Sequence, residues 1–266
     1  MLVFPQLLTG SVTQYPIRKV RLERTVINRL EGGDYFGLPD PNAGLIRWEL
    51  RFEALADAEV QQLTDFYQAC EGALQTFTFL DPFSNLFVFS EDQTQPAWQR
   101  NQLLQLGSGL LDALGGSNGH RLTNTAEATL AITQTVPLPG SITCAFSVYM
   151  RAASPVTCSL ARIDGSTVRT IQVQLTPTWN RYFLTSVFPS SISTHCDFSL
   201  SIPSGQTIEV FGFQLDAQPY PGQYVSTLSQ SGVYPQSRFG QDELVIVSTG
   251  PDQSHAATSV VSRSNS

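Results

Sequence analysis

The sequence predicts an all-β protein with one α-helix. Two strand patterns and one helical pattern carry that prediction. Leu45–Ala54, LIRWELRFEA, alternates cleanly: Ile46, Trp48, Leu50 and Phe52 fall on one side, Arg47, Glu49, Arg51 and Glu53 on the other. A period of two is that of a strand half buried against a core. Beyond Asn85, short apolar runs return every ten or so residues between Gly, Pro and Ser breaks, the pattern of a β-sandwich. Between these, Val60, Leu63, Phe66 or Tyr67, and Cys70 recur at the spacing of one helix face.

Taken in order, Arg18–Leu30 opens as a strand, with Val20, Leu22 and Val26 roughly in period two. EGGD at Glu31–Asp34 supplies a turn, and PDPNAG at Pro39–Gly44 a second break. After the strand Leu45–Ala54, Asp57 is expected to cap the helix, with Glu59 in its electropositive first turn and Gly72 as its stop. Leu74–Leu80 reads as a strand ended by Asp81–Pro82. The Gly/Ser-rich run Gly107–Gly119 reads as a loop. Strands are then expected at Ala128–Val136, Ile142–Met150, Val168–Leu175, Arg181–Val187, Phe198–Ile202 and Thr207–Leu215. PYPGQY at Pro219–Tyr224 has the look of a boundary, and strand character returns at Glu243–Ser248 and Ala256–Val261.

Composition excludes several classes. The chain of 266 residues suffices for one large domain or two ordinary ones. Charged residues make up only 14 %, which excludes charge-driven disorder. A net charge of -7, with Lys19 as the single lysine, argues against specific nucleic-acid binding and against an anionic-membrane binder. No apolar run reaches the roughly 18 residues of a spanning helix, so membrane insertion is not expected. The first residues lack the basic stretch of a secretory signal. Cys70, Cys144, Cys158 and Cys196 form no CxxC pair and read as buried free thiols.

No catalytic set is legible. His195 and Cys196 are neighbours, and adjacent strand residues point to opposite faces, so no metal site is expected. HExxH, GxSxG and phosphate-loop patterns are lacking. Glu91, Asp92, Asp112, Asp164 and Asp216 read as solvated turn residues rather than the convergent carboxylates of glycoside hydrolysis. The sequence therefore predicts neither a cofactor nor an enzyme. The remaining device is aromatic. Trp98, Trp179 and Tyr182 are candidates to stack on a sugar, with core burial as the competing role of both tryptophans.

Two stretches resemble known families. NLFVFSEDQTQPAW at Asn85–Trp98, HRLTNT at His120–Thr125, AFSVYMRA at Ala145–Ala152, TWNRYFLT at Thr178–Thr185 and VFGFQLDAQPYPGQYVST at Val210–Thr227 resemble the carbohydrate-binding-module-like jelly rolls of bacteriophage tail and tail-fibre proteins. Asp216 stands where their closing phrase usually carries Glu. RWELRFEALADAEVQQLTDFYQACEGALQTFTFLDP at Arg47–Pro82 resembles the distal tail protein family and related minor tail proteins. GVYPQSRFGQDELVIVSTGP at Gly232–Pro251 resembles the return of such a chain to its first domain after an insertion.

The resemblance implies a tail-type β-sandwich or barrel from residues 1–85 plus 228–262, an inserted jelly roll at 86–227, and a frayed tail at 263–266. It implies a structural role at the tail tip or baseplate of a virion, assembled in the host cytoplasm. There the first domain forms a ring with itself, a hexamer, that joins tail tube to hub. The jelly roll would face tail fibres or host-surface glycan. Arg18, Arg21, Arg24, Arg47 and Arg51 are then expected at subunit contacts, with a solvated strand face as their competing role. The alternative reading is a host-glycan-binding module that forms no ring.

Overall fold

A computed structural model describes residues 1–40 and 43–263. The chain forms two compact units. Unit 1 holds Met1–Leu8, Val12–Phe79 and Tyr234–Ser266; unit 2 holds Thr9–Ser11 and Leu80–Val233. The fold is all-β with one α-helix among the described residues.

Unit 1 begins with β1 (Arg18–Leu22) and β2 (Thr25–Arg29), so the single strand expected over Arg18–Leu30 is broken at Glu23–Arg24. The EGGD turn leads into β3 (Tyr35–Pro39), which pairs with β2 from Thr25↔Pro39 to Arg29↔Tyr35. Of the second break, Pro41 and Asn42 lie outside the described residues. In β4 (Leu45–Leu55), Ile46, Trp48, Leu50 and Phe52 are buried as their alternation predicts.

Helix α1 (Asp57–Ala69) follows, and its cap corrects the expectation. Ala56, not Asp57, is the capping residue, and it has no side-chain acceptor to offer. Glu59 carries the local stitch: its carboxylate accepts the Ala56 N–H at 3.0 Å and, through the other oxygen, the Leu8 N–H at 2.8 Å. Leu63 and Cys70 are buried on the inner face. Strand β5 (Phe77–Leu80) is shorter than Leu74–Leu80 and fully buried, since Leu2–Phe4 bond to Thr78 along its side.

Unit 2 runs through β6 (Gln99–Arg100), β7 (Leu104–Leu110), β8 (Gly119–Asn124), β9 (Leu130–Val136), β10 (Cys144–Arg151), β11 (Thr157–Asp164), β12 (Thr167–Gln174), β13 (Asn180–Ser186), β14 (Cys196–Ile202) and β15 (Thr207–Asp216). Two five-stranded antiparallel sheets result, ordered β13-β10-β15-β8-β7 and β12-β11-β14-β9-β6. This is a jelly-roll-type β-sandwich. Phe87, Trp98, Phe146, Phe198 and Phe213 fill it with ring centroids 4.6–6.4 Å apart.

Part of the Gly/Ser-rich run is strand, because Gly107–Leu110 belong to β7 and pair with β8. Three acids expected in solvent are buried instead. Asp112 accepts N–H groups of Leu114, Gly116 and Asn118, and these bring its carboxyl below the usual range although burial alone would raise it. Asp164 is held low by hydroxyls of Ser191 and Ser193. Asp216 accepts from Gln214 Nε2 at 2.9 and 3.0 Å through its two oxygens, and also from the Gly222 N–H. All four cysteines are buried and free.

The chain returns to unit 1 through β16 (Val233–Phe239), β17 (Val245–Gly250) and β18 (Gln253–Arg263). The completed sheet runs β1-β4-β18-β16-β5, with β17 paired to β18 on the side away from β4. Trp48, Phe79 and Tyr234 pack at one part of its core, and Phe4, Phe66, Phe77 and Phe239 at another. Of the expected frayed tail, Arg263 ends β18 and Ser264–Ser266 lie outside the described residues.

Candidate functional site

The outer face of the β13-β10-β15-β8-β7 sheet carries a row of paired charged side chains. Phe146, Val148 and Met150 of β10 face the core. Their neighbours Ser147, Tyr149 and Arg151 therefore face outward. Directly paired residues of antiparallel strands share a face. Arg151 pairs with Glu209 of β15, and Glu209 pairs with Arg121 of β8. One register step past Asn180↔Met150, Trp179 comes opposite Arg151. Arg151, Glu209 and Arg121 thus form one row across three strands, continued by Trp179 just before β13.

Their contacts follow that order. The Arg151 guanidinium lies 4.7 Å from the Trp179 ring centre. Its Nη2 is 2.6 Å from Glu209 Oε2, and Arg121 Nη2 is 2.7 Å from Glu209 Oε1. Burial raises the Glu209 carboxyl, but the two guanidinium partners hold it below the usual carboxylate range. In the next row, Thr123 and Thr207 share a hydroxyl bond of 3.1 Å. Arg121, Arg151, Glu209, Thr123 and Thr207 line a recess of about 710 Å³ together with Ser154, Pro177 and Gln206, while Trp179 is not part of its lining. That volume lies within the roughly 300–1,000 Å³ of small-ligand clefts.

The rest of the same face is roofed by the strap Ala217–Thr227, in which PYPGQY lies. Arg181 Nη1 donates to Gly222 O at 2.6 Å, and Gln214 bonds Gln223 O and the Val225 N–H. The Tyr224 ring packs 5.2 Å from Phe211. Gly212 bulges at φ +63°, and a Cβ there would stand 3.0 Å from the Tyr224 ring. Glycine thus permits the roof. No residue of that strap lines the recess at Arg151, Glu209 and Arg121.

The structure treats the sequence candidates differently. Trp98 is a correction: it is 4 % exposed, packs on Phe213 and donates its indole N–H to Phe89 O, so it offers no face to a sugar. Tyr182 is a second correction. It pairs with the core-facing Val148, and its hydroxyl donates to Gln174 O. Only Trp179 reaches the row, and one of its faces carries the Arg151 guanidinium. Reading the sequence missed Arg121, Arg151 and Glu209. Their one signal is a charge at an alternating strand position in a chain poor in charge.

Among the interface candidates, Arg18 and Arg47 both pair with Glu49 of their own chain, at 3.1 and 3.5 Å. Arg24 pairs with Asp40 at 3.6 Å, while Arg21 and Arg51 are exposed. His255 and Glu53 form a further pair. No cluster of His, Cys, Asp and Glu able to hold a metal occurs among the described residues.

No protein-family model matches the sequence. No curated protein matches it. Among solved structures, the enzymatically active domain of bacteriophage CBA120 tailspike protein 4 is 14 % identical with a TM-score of 0.41, over 52 % of this chain and 22 % of that one. The xylan-binding CBM22-1 domain of Paenibacillus barcinonensis Xyn10C is 14 % identical with a TM-score of 0.41, over 52 % and 94 %. TmCBM61, solved with β-1,4-galactotriose, is 15 % identical with a TM-score of 0.37, over 49 % and 97 %.

Proposed function

We propose that the protein is a component of a phage or phage-like tail tip, and that its jelly roll contacts host-surface glycan through the recess of Arg151, Glu209 and Arg121, with Trp179 stacked on Arg151. The observation that carries the glycan reading is the row itself. It sets a carboxylate between two guanidiniums beside an aromatic ring and two threonine hydroxyls. Sugars present vicinal hydroxyls that such fixed, charge-assisted groups can grip in pairs, while an aromatic edge meets the C–H surface. The recess lining holds a single carboxylate, Glu209. Glycoside hydrolysis uses two, so the reading is binding without catalysis.

The tail assignment draws on the resemblance of Arg47–Pro82 and Gly232–Pro251 to distal tail proteins. In that role unit 1 assembles with itself, as a hexameric ring between tail tube and hub, and the jelly roll lies outward for glycan or fibres. A ring would multiply weak sugar contacts by avidity.

Glycan-array binding of the whole protein tests the site. A ligand bound by the wild type should be held at least about tenfold more weakly by Arg121→Ala and by Trp179→Leu, a loss near 1.4 kcal/mol. Equal binding by both variants removes the recess from the reading, and no glycan bound at millimolar sugar removes the glycan role.

A further inference from the structure

We infer that the sugar taken by the unit 2 recess is an acidic one, whose carboxylate is gripped by the Arg121 guanidinium. The inference names the ligand class of the site proposed above and rests on that reading.

The hydrogen-bond inventory of the row is the first observation. Glu209 Oε2 accepts Arg151 Nε at 2.6 Å and lies 2.6 Å from Arg151 Nη2, while its Oε1 accepts Arg121 Nη2 at 2.7 Å. Both carboxylate oxygens are thus engaged within the chain. A guanidinium carries five N–H donors and no acceptor. Arg121 turns Nη2 to Glu209, and its side chain makes no other hydrogen bond among the described residues. Its Nε and Nη1 remain as unengaged donors. The Arg121 side chain is 51 % exposed and that of Glu209 only 16 %. What this end of the recess offers a ligand is therefore mainly donors, and the group that answers them is an acceptor.

The ionised groups of the lining point the same way. They are Arg121, Arg151 and Glu209, so pairing leaves one positive charge in excess. Thr123, Ser154, Gln206 and Thr207 add polar groups without charge. The two guanidiniums hold the Glu209 carboxyl below its usual range, so the excess persists wherever a sugar carboxylate is itself ionised. The chain as a whole carries -7, but charges beyond about 8 Å are largely screened at physiological salt, and the local excess decides.

Geometry selects the form of the acceptor. A planar carboxylate takes two parallel N–H bonds from a guanidinium, whereas a sugar hydroxyl offers one oxygen. Thr123 stands two residues along β8 from Arg121, and Thr207 two along β15 from Glu209. Residues so spaced share a face and lie about 6.6 Å apart. The paired Thr123 and Thr207 hydroxyls, 3.1 Å from one another, thus form the row next to the guanidinium. A uronic or sialic type of sugar carries its carboxylate on one side of the ring and hydroxyls on the other. That arrangement sets the carboxylate on Arg121 and the hydroxyls on the threonines.

An array of neutral, carboxylated and sulfated glycans, read with the full chain, tests this first. Binding should concentrate on the carboxylated sugars. For the best of them, titration calorimetry then compares the acid with its own methyl ester, which keeps the shape and removes the charge. The acid should bind at least about tenfold more tightly at low salt, and the ratio should shrink as salt rises. Arg121→Gln should bring the ratio to one. Thr207→Val, which leaves the guanidinium in place, should weaken acid and ester together and keep the ratio. Matching unfolding midpoints check that both variants fold.

Neutral or sulfated glycans bound as well as carboxylated ones, an ester bound as tightly as its acid, or a ratio that survives Arg121→Gln overturns the inference and leaves the glycan reading standing. No glycan of any class bound at millimolar sugar overturns both.

Discussion

Asp216 lies beneath the strap, 7 % exposed, with Gln214 and the Gly222 N–H as its hydrogen-bond donors. Burial pushes its carboxyl up to about 6, against the pull of Gln214 and the Arg181 charge. The native chain therefore keeps this proton at a pH where the unfolded chain has lost it. The stability it contributes is full below about pH 4 and is lost as pH rises through about 6. Asp216→Asn removes the titration and should be more stable than wild type at pH 8 by about 3 kcal/mol, the two converging toward pH 4. Urea midpoints across that range decide it, and a pH-independent difference would refute the account. Arg162 is the contrasting residue. It is wholly buried, and its Nη atoms donate to the carbonyls of Pro139, Gly140, Ile142 and Ser186 at 2.8–3.0 Å. Backbone carbonyls, with no carboxylate among these four bonds, keep that guanidinium in the interior. Nothing in ARID at Ala161–Asp164 announces this, because the acceptors lie 20–24 residues away.

At the scale of elements, α1 and the strap show how short phrases act. Glu59 serves two N–H groups, whereas Asp57 is not the cap. Glu59→Ala should cost unit 1 about 1–2 kcal/mol, more than Asp57→Ala. Thermal unfolding followed by circular dichroism ranks the two, and the reverse order would mean that the helix dipole outweighs the box. In unit 2, the phrase NLFVFSED works as a stitch rather than a ligand site. Asn85 Nδ2 donates to Phe213 O and Val225 O, and its Oδ1 accepts the Phe87 and Leu215 N–H groups. Ser90 bonds the Tyr224 hydroxyl and the Thr227 N–H. The opening and closing phrases that carry the jelly-roll resemblance thus fasten the first segment of that unit to its last. Fastening of that kind follows the fold, so those residues do not identify a ligand.

For the whole molecule, the division into two units has a testable consequence. Unit 2 has its own aromatic core and closes its own ends, since Asn85 O accepts the Gly232 N–H at 2.8 Å and Gly232 O accepts the Asp81 N–H at 2.8 Å. A chain of residues 80–233 should unfold in one cooperative transition and keep the glycan affinity of the full protein. A broad, non-cooperative melt would show that the jelly roll needs unit 1. Unit 1 is built from both ends of the sequence, because β4 pairs with β18 along nearly its whole length, from Leu45↔Arg263 to Leu55↔Ser254.

What the sequence determined by itself was local. The period of two in Leu45–Ala54 marks its buried face, the helical period over 60–70 marks α1, and spaced breaks mark six strands of the sandwich. These signals are visible because each repeats within a few residues. Strands such as β7 and β11 escaped, since Gly, Ser and Arg at their positions are tolerated only by the neighbours they pair with. The tertiary structure alone decided that Trp98 is core and Trp179 belongs to a row. It alone joined Arg151 and Arg121 to Glu209, from 58 and 88 residues away. Cross-strand register places those side chains, and register is fixed by the packing of whole sheets, which no local pattern encodes.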